Sequence, residues 1–428
     1  MNRRTRLLSL GAILLLLAAA FGVQAYTADT SARTSRTDTG AYPGNTLISV
    51  QDYKFDGCLV EVTPNGNVAW EYDPPNSRVF DAEQLENGNI LVAVTTKLAP
   101  KNCPAEQLEV NSDQCIKSRV LELDYETKSV VWKYTWYDEY ITHHEVHDVD
   151  RLENGETAII DMGNDRAFTV DRKGEITWEW HAENHLENGT TFYQRYGGDP
   201  NPGGEKDWTH MNDIDRLENG NFQISVRNFD VVIEVNPKTN KIVDVIGEPG
   251  NHSFLYEQHN PQRLEEWGTV LIADSENHRI VEYDVASGER VWEYGGDDIL
   301  LWPRDADRLP NGNTLITDSL HNRVLEIDEN GDIVWEYSGV DLPYAADRLS
   351  VPEEGGETVP GWQLENRTAN AGSVVGTVRQ IEGWASYVFP TWVKLPELLT
   401  LVAGALVLLA MVVDLSIYGL SALKRYRD

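Results

Sequence analysis

The chain has 428 residues, with 69 acidic against 36 basic side chains and a formal net charge of −33. A surface of that sign repels nucleic acid and anionic lipid headgroups, which excludes nucleic acid as a partner. Its three cysteines form no CxxC pair, so a thiolate metal or dithiol redox motif is missing as well.

Arg3, Arg4 and Arg6 precede an apolar run from Leu7 to about Val23. Residues 1–25 therefore read as a signal sequence, with Val23-Gln24-Ala25 as the cleavage site, or as an uncleaved membrane anchor. A Thr/Ser-rich linker follows over 26–44. From 45 to 350 one short pattern repeats six times: an Arg/Gln-Leu pair, a Gly/Asn turn, an aliphatic run, a second turn, an alternating run and usually Trp-Glu-Tyr. The aligned leucines are Leu85, Leu152, Leu217, Leu264, Leu309 and Leu349.

Period-2 alternation bounded by Asn-Gly turns predicts antiparallel hairpins. Repeats of about 40–45 residues with four short strands are propeller blades. The first copy, starting at Asn45, lacks its opening strand, while an orphan Ala346-Asp347-Arg348-Leu349 follows the last complete copy. The expected fold is all-β: a six-bladed β-propeller closed by strand exchange, flanked by N- and C-terminal transmembrane helices. Recurrent tryptophans (Trp70, Trp132, Trp178, Trp292 and Trp335) are read as inter-blade packing rather than as a quinone-cofactor platform.

Beyond the repeats come a spacer over 351–394, a bilayer-length apolar helix over 395–423 and a basic tail over 424–428 with Lys424, Arg425 and Arg427. Positive charge stays on the cytoplasmic side, so both tails are expected inside and the propeller outside, unless the N-terminal segment is cleaved. Asp414 is expected near the inner headgroups. Cys103 and Cys115 share one hydrophilic insertion that they can clip, leaving Cys58 over. The excess of acid fits solubility in concentrated salt, and a haloarchaeal source is the expectation.

The unusual residues fall at one rim. His147 and His259 stand five positions before their aligned leucines and His210 stands seven before, so all three share strand parity at the start of innermost strands. Arg227 ends the second strand of the fourth blade, where other blades hold Asp161, Asp274 and Asp318 as expected caps of turn amides. Arg304 opens the sixth blade at the offset of His147. His143 and His144 line the entrance, and His181, His185, His252, His278 and His321 are assigned to loops without a role.

At these residues the chain resembles the arylsulfate sulfotransferases, propeller enzymes that move a sulfuryl group between phenols without a nucleotide donor. The likeness is carried by His144-Glu145-Val146-His147-Asp148-Val149, by Thr209-His210-Met211-Asn212 with Ser225-Val226-Arg227, and by Glu257-Gln258-His259-Asn260. It implies that His259 is a nucleophile carrying a transient sulfohistidine in a ping-pong exchange. His147, His210 and Arg227 would complete the catalytic set, with Asn212, Arg304 and His144 binding substrate. No cofactor or metal is implied, and the partners are an aryl sulfate and a phenol. The family's N-terminal β-sandwich has no counterpart, and Pro261 follows the nucleophile segment. Two other readings stay open: zinc, copper or iron held by the three histidines, and a non-catalytic tethered propeller that binds a ligand or protein.

Overall fold

Short aliphatic runs and tight turns make each repeat a four-stranded antiparallel sheet. The Leu-Glu-Asn-Gly turn is the clearest case. In the third blade the Gly155 N–H donates to Leu152 O at 2.8 Å with Gly155 at φ 84°, a conformation costly for any residue with a Cβ. The computed structural model describes residues 3–427 except 28–33, 53, 111–113, 204–205, 350, 352–357, 370–373, 387 and 391. Parts of the expected linker and spacer, and Asp428 of the tail, thus lie outside the described residues.

Six sheets form a closed ring, each innermost strand packing against the next. Innermost strands two to six are Ser77–Gln84, Val146–Arg151, Met211–Arg216, His259–Leu264 and Pro303–Arg308. The first blade is completed by Pro343–Arg348, which pairs antiparallel with Thr46–Val50 and leaves no free seam. Two further strands come from the stretches read as linker and spacer. Thr34–Thr37 pairs antiparallel with Ile333–Ser338 in the sixth blade, and Arg367–Thr368 runs parallel to Arg290–Gly295 in the fifth. Cys103 and Cys115 are disulfide-bonded, clipping the insertion of the second blade.

The seams show why tryptophan recurs. Trp70 Nε1 donates to Tyr125 O at 2.8 Å, Trp132 to Arg172 O at 3.0 Å and Trp335 to Pro64 O at 2.9 Å, each reaching the outer turn of the next blade. Trp178 reaches Asn240 Oδ1 at 2.7 Å in the same way. Trp292 instead donates to Glu365 O at 3.0 Å, because the C-terminal segment fills that seam. Deeper in, an arginine from the end of one innermost strand meets a glutamate of the preceding blade. Arg308–Glu282 is 2.9 Å and Arg348–Glu326 is 2.7 Å, all four side chains fully buried. The guanidinium carbons also sit 4.6 and 5.0 Å from the Trp292 and Trp335 ring centroids.

The terminal unit, Met1–Ala32 with Thr377–Asp428, is separate from the propeller unit Arg33–Gly376. Its two helices, Arg3–Thr27 and Leu395–Arg427, are long and apolar enough to cross a membrane. They run antiparallel. Arg3 Nε lies 3.5 Å from Asp414 Oδ2 and Arg6 pairs with the same carboxylate, while at the other end Phe21 and Trp392 rings are 5.5 Å apart.

Removing one member of a fully buried ion pair strands the other charge. Arg308→Ala should therefore destabilise the propeller by about 3–5 kcal/mol, read as a lower urea midpoint, whereas exposed Arg36→Ala should change it by less than about 1 kcal/mol.

Candidate active site

Each innermost strand begins with a register shift, for example between His259 and Gln262 and between Met211 and Asp213. Such bulges re-aim the first side chains of a strand. The residues five positions before the aligned leucines consequently form one ring across six blades: Tyr344, Phe80, His147, Asn212, His259 and Arg304. All six are buried.

Ring contacts tie them together. His147 lies 4.5 Å from Phe80, 5.5 Å from Tyr344 and 5.1 Å from His210, centroid to centroid. His259 lies 6.1 Å from both Tyr344 and Trp302. The Arg304 guanidinium stacks 4.2 Å from the Trp302 centroid and 5.0 Å from that of Tyr344. Asn212 Nδ2 donates to Gln258 O at 2.9 Å, and its Oδ1 is buried without a hydrogen-bond partner among the described residues. Arg227 ion-pairs with Glu257. A cavity of about 610 Å³ has a lining that includes Asp207, Trp208, Arg227, Asn228, Tyr256 and Glu257, and so meets this cluster at Arg227 and Asp207 rather than at the six ring residues.

The imidazoles have defined partners. His259 Nδ1 lies 2.8 Å from Ser275 Oγ and 3.2 Å from Glu257 O. A carbonyl oxygen only accepts, so Nδ1 carries the proton and Nε2 keeps its lone pair. His147 Nδ1 is 2.9 Å from the Tyr344 hydroxyl, and His210 Nδ1 is 2.7 Å from Asp207 Oδ2. Burial, then Arg304 and Arg227, push His259 well below the usual imidazole range. Burial, then His210 and Arg304, do the same to His147. His210 is lowered by burial and Arg227 despite Asp207. All three are therefore neutral at pH 7. Burial alone would raise Asp207, but His210 and His143 outweigh it and hold its carboxyl below the usual range.

Beneath the ring lies a layer of aspartates. Asp148 Oδ2 accepts from Ile214 N–H at 2.6 Å and Asp305 Oδ2 from Ala346 N–H at 2.8 Å, each tying its blade to the next. Asp213 occupies the same position in the fourth blade, yet the residue it would reach is Pro261, which has no N–H. Its Oδ2 is accordingly without a hydrogen-bond partner among the described residues. Burial raises Asp305 to about 6, while burial and repulsion from neighbouring aspartates raise Asp81 to about 7 and push Asp148, Asp213, Asp307 and Asp347 well above the usual range.

Of the sequence-selected residues, His147, His210, His259, Asn212, Arg227 and Arg304 come together. His144 does not join them: its Nδ1 pairs with Asp138 at 2.9 Å, which outweighs burial and raises its pKa. Asp161, Asp274 and Asp318 accept from the arginine five residues on (Arg166, Arg279 and Arg323, at 2.7, 2.6 and 2.7 Å), and Asp274 and Asp318 also accept a backbone N–H, from Tyr256 at 2.7 Å and Leu301 at 2.8 Å. In the fourth blade the aspartate–arginine pair is Val226 facing Val231, so Arg227 does not replace the recurring aspartate: it stands one residue later, opening the turn Arg227–Phe229 where the other blades have Met162, Ser275 and Ser319. His181 lies in the strand Ile176–His181, not in a loop, because its repeat extends past the Trp-Glu-Trp. Among the described residues the three channel histidines do not converge as a ligand set; His143, Asp207 and His210 do. Tyr344, Phe80, Ser275, Asp207 and Glu257 were not anticipated. Counting five back from Leu349 and Leu85 would have found the first two.

Comparison with known proteins bears on fold and family. The model of the family described as Arylsulfotransferase (ASST) matches residues 46–264, just over half of the 428-residue chain. Among curated proteins none matches. A protein of unknown function from Bacteroides caccae shares the fold at 15% identity and TM-score 0.50, covering 71% of this chain and 98% of its own. A catalytically inactive virginiamycin B lyase from Staphylococcus aureus with quinupristin aligns at 13% identity and TM-score 0.42, covering 72% and 88%. A nidogen/laminin complex chain aligns at 11% and 0.46, covering 71% and 97%.

Stability should follow the aspartate layer. Carboxyls whose folded pKa is raised favour the native state at low pH, and that contribution is lost as pH rises from about 4 through 6–7. Asp213→Asn should therefore raise the melting temperature at pH 8 by about 3 °C or more and leave it nearly unchanged at pH 5. A thermal scan at both pH values checks this.

Proposed function

The chain belongs to the arylsulfotransferase (ASST) family, whose general activity is sulfuryl transfer on aryl substrates, and from that premise we propose a ping-pong exchange through N-sulfo-His259. The observation that carries the proposal is the His259 environment: Nδ1 bound to Glu257 O and Ser275 Oγ, Nε2 unprotonated, and Arg227 and Arg304 nearby. In the first half-reaction the Nε2 lone pair forms an N–S bond while the S–O(aryl) bond breaks. The phenolate leaves with the electron pair and takes a proton from solvent. In the second, the acceptor phenol gives its proton to His210 as its oxygen attacks sulfur and the N–S bond breaks.

Each neighbour has a part in this scheme. Sulfuryl transfer resembles phosphoryl transfer in placing charge on equatorial oxygens, so fixed donors supply most of the stabilisation. Arg227 and Arg304 offer permanently charged donors. With Tyr344 donating to Nδ1, His147 presents Nε2–H to the same oxygens. Asp207 orients His210 and strengthens it as a base. Asn212 Oδ1 is an acceptor for an aryl hydroxyl, and Phe80, Tyr344 and Trp302 offer aromatic faces. His144 is left as a structural residue of the entrance.

The reading extends to location. A propeller outside the membrane, with both tails inside, is supported by the Cys103–Cys115 disulfide, by the two apolar helices and by basic residues at each end. A saline habitat is supported by the net charge of −33. At about 1 M salt the Debye length is near 3 Å, so that charge would barely hinder an anionic donor.

Incubation with a chromogenic phenyl sulfate, acid-free digestion and mass spectrometry should find a sulfo adduct on His259. His259→Ala should lose the adduct and at least about 10³-fold in rate. Full activity in that variant without any adduct would end the proposal.

A pH series tests the site electrostatics. An imidazole of pKa about 6.5 would lose about fourfold in its neutral form between pH 7.5 and 6. Because His259, His147 and His210 are all lowered, initial rates should fall less than about twofold over that interval.

A further inference from the structure

Two connections meet beside the active-site cluster, the second of them also lining the cavity. One joins Val130–Asp138 to Val146–Arg151 and carries His143; the other joins Ile176–His181 to Met211–Arg216 and carries Asp207. His143 Nδ1 lies 3.4 Å from Asp207 Oδ2, and His210 Nδ1 lies 2.7 Å from the same oxygen. The three ligand atoms all fall within 4.8 Å of one another. A tetrahedral ion with bonds of about 2.0–2.1 Å separates its ligand atoms by about 3.3 Å, so small side-chain shifts suffice.

His143 sits at φ 61°, in the left-handed region that a residue with a Cβ seldom adopts, whereas His210, at φ 46°, shares that conformation with Glu257, Trp302 and Leu342 at the same place in their blades. Nothing in the seam or the core requires an imidazole at 143, whose side chain is 49% exposed. Its rings and those of His210 are 6.1 Å apart at 68°. Two imidazoles and one carboxylate, with open positions toward the cavity, are a donor set for borderline divalent transition metals.

We propose that His143, Asp207 and His210 form a site for a divalent transition-metal ion, zinc foremost, which reversibly inhibits sulfuryl transfer. The ion takes the Asp207 carboxylate and His210 Nδ1, whose proton moves to Nε2, so that His210 can no longer accept the phenol proton. It also clamps the two connections to each other. The inhibitory part rests on the sulfotransfer reading; the binding part does not.

The test uses the full chain in detergent, without a polyhistidine tag, stripped of metal with chelator that is then removed. Calorimetry with ZnCl₂ and visible absorption with CoCl₂ at pH 7.5 should give one equivalent bound. His143→Ala should weaken that binding at least about tenfold. In the transfer assay zinc should slow the wild type and chelator should restore it, while His143→Ala keeps its metal-free rate and needs correspondingly more zinc. Unchanged affinity in both His143→Ala and Asp207→Asn would mean the ion sits elsewhere and overturn the site. One equivalent bound at this site with no effect on transfer would overturn inhibition. Should no transfer be measurable at all, calorimetry and absorption still decide the metal site.

Discussion

Everything at the rim depends on how one blade is tied to the next. The innermost strands do not pair with each other, so the backbone N–H groups along their channel side need side-chain acceptors. Neighbouring blades supply them: Asp148 for Ile214, Asp305 for Ala346, Glu83 for Arg151 at 2.7 Å and Gln262 for Arg308 at 2.7 Å. An unpaired buried amide costs roughly as much as a lost hydrogen bond, which makes these acceptors obligatory rather than decorative. With the Arg–Glu pairs and outer tryptophans they lock six sheets into one register. Only then do rings from separate blades, such as His147 and His210, stand 5.1 Å apart.

The site lies where this lattice of ties is broken. In the fourth blade the recurring Asp and its arginine partner become Val226 and Val231, and Arg227 opens the turn that follows. In the fifth, Asn260 and Pro261 replace the Asp and the N–H that would serve the seam, stranding Asp213. The fourth blade also lacks the outer tryptophan. Local departures from an otherwise consistent pattern mark places where function has displaced stability. That Val226 directly precedes Arg227, and that Asn260 and Pro261 directly follow His259, is an argument for the site independent of family membership.

Much of this was legible in the sequence because the relevant physics is periodic. Strand alternation, Gly-turn spacing and the missing first strand determine a closed six-bladed ring, and strand parity brought His147, His210, His259, Arg227 and Arg304 to one rim. What parity cannot show is the partner of a side chain that comes from a loop. Asp207 and Ser275 lie outside the repeat core, and His144 looked equivalent to His147 until Asp138 claimed it. Tyr344 was readable in principle. It was missed because the exchanged strand was treated as closure, not as a blade contributing its own rim residue. The strands over 34–37 and 367–368 carry too little pattern to separate them from linker.

The layering also explains why an anion would stay at the mouth. The ring of Tyr344, Phe80, His147, Asn212, His259 and Arg304 contains no acid, and two guanidiniums border it. Immediately beneath come Asp81, Asp148, Asp213 and Asp305, then Asp150, Asp215, Asp307 and Asp347. Burial raises Asp81, Asp148, Asp213, Asp305, Asp307 and Asp347, yet any carboxyl that ionises repels an incoming sulfate ester at short range, where salt screens little. The channel is therefore a cup for anions rather than a passage. In the proposed exchange its donor-rich lip would hold the sulfuryl group beside Nε2 of His259, and its acidic floor would keep the aryl end directed outward.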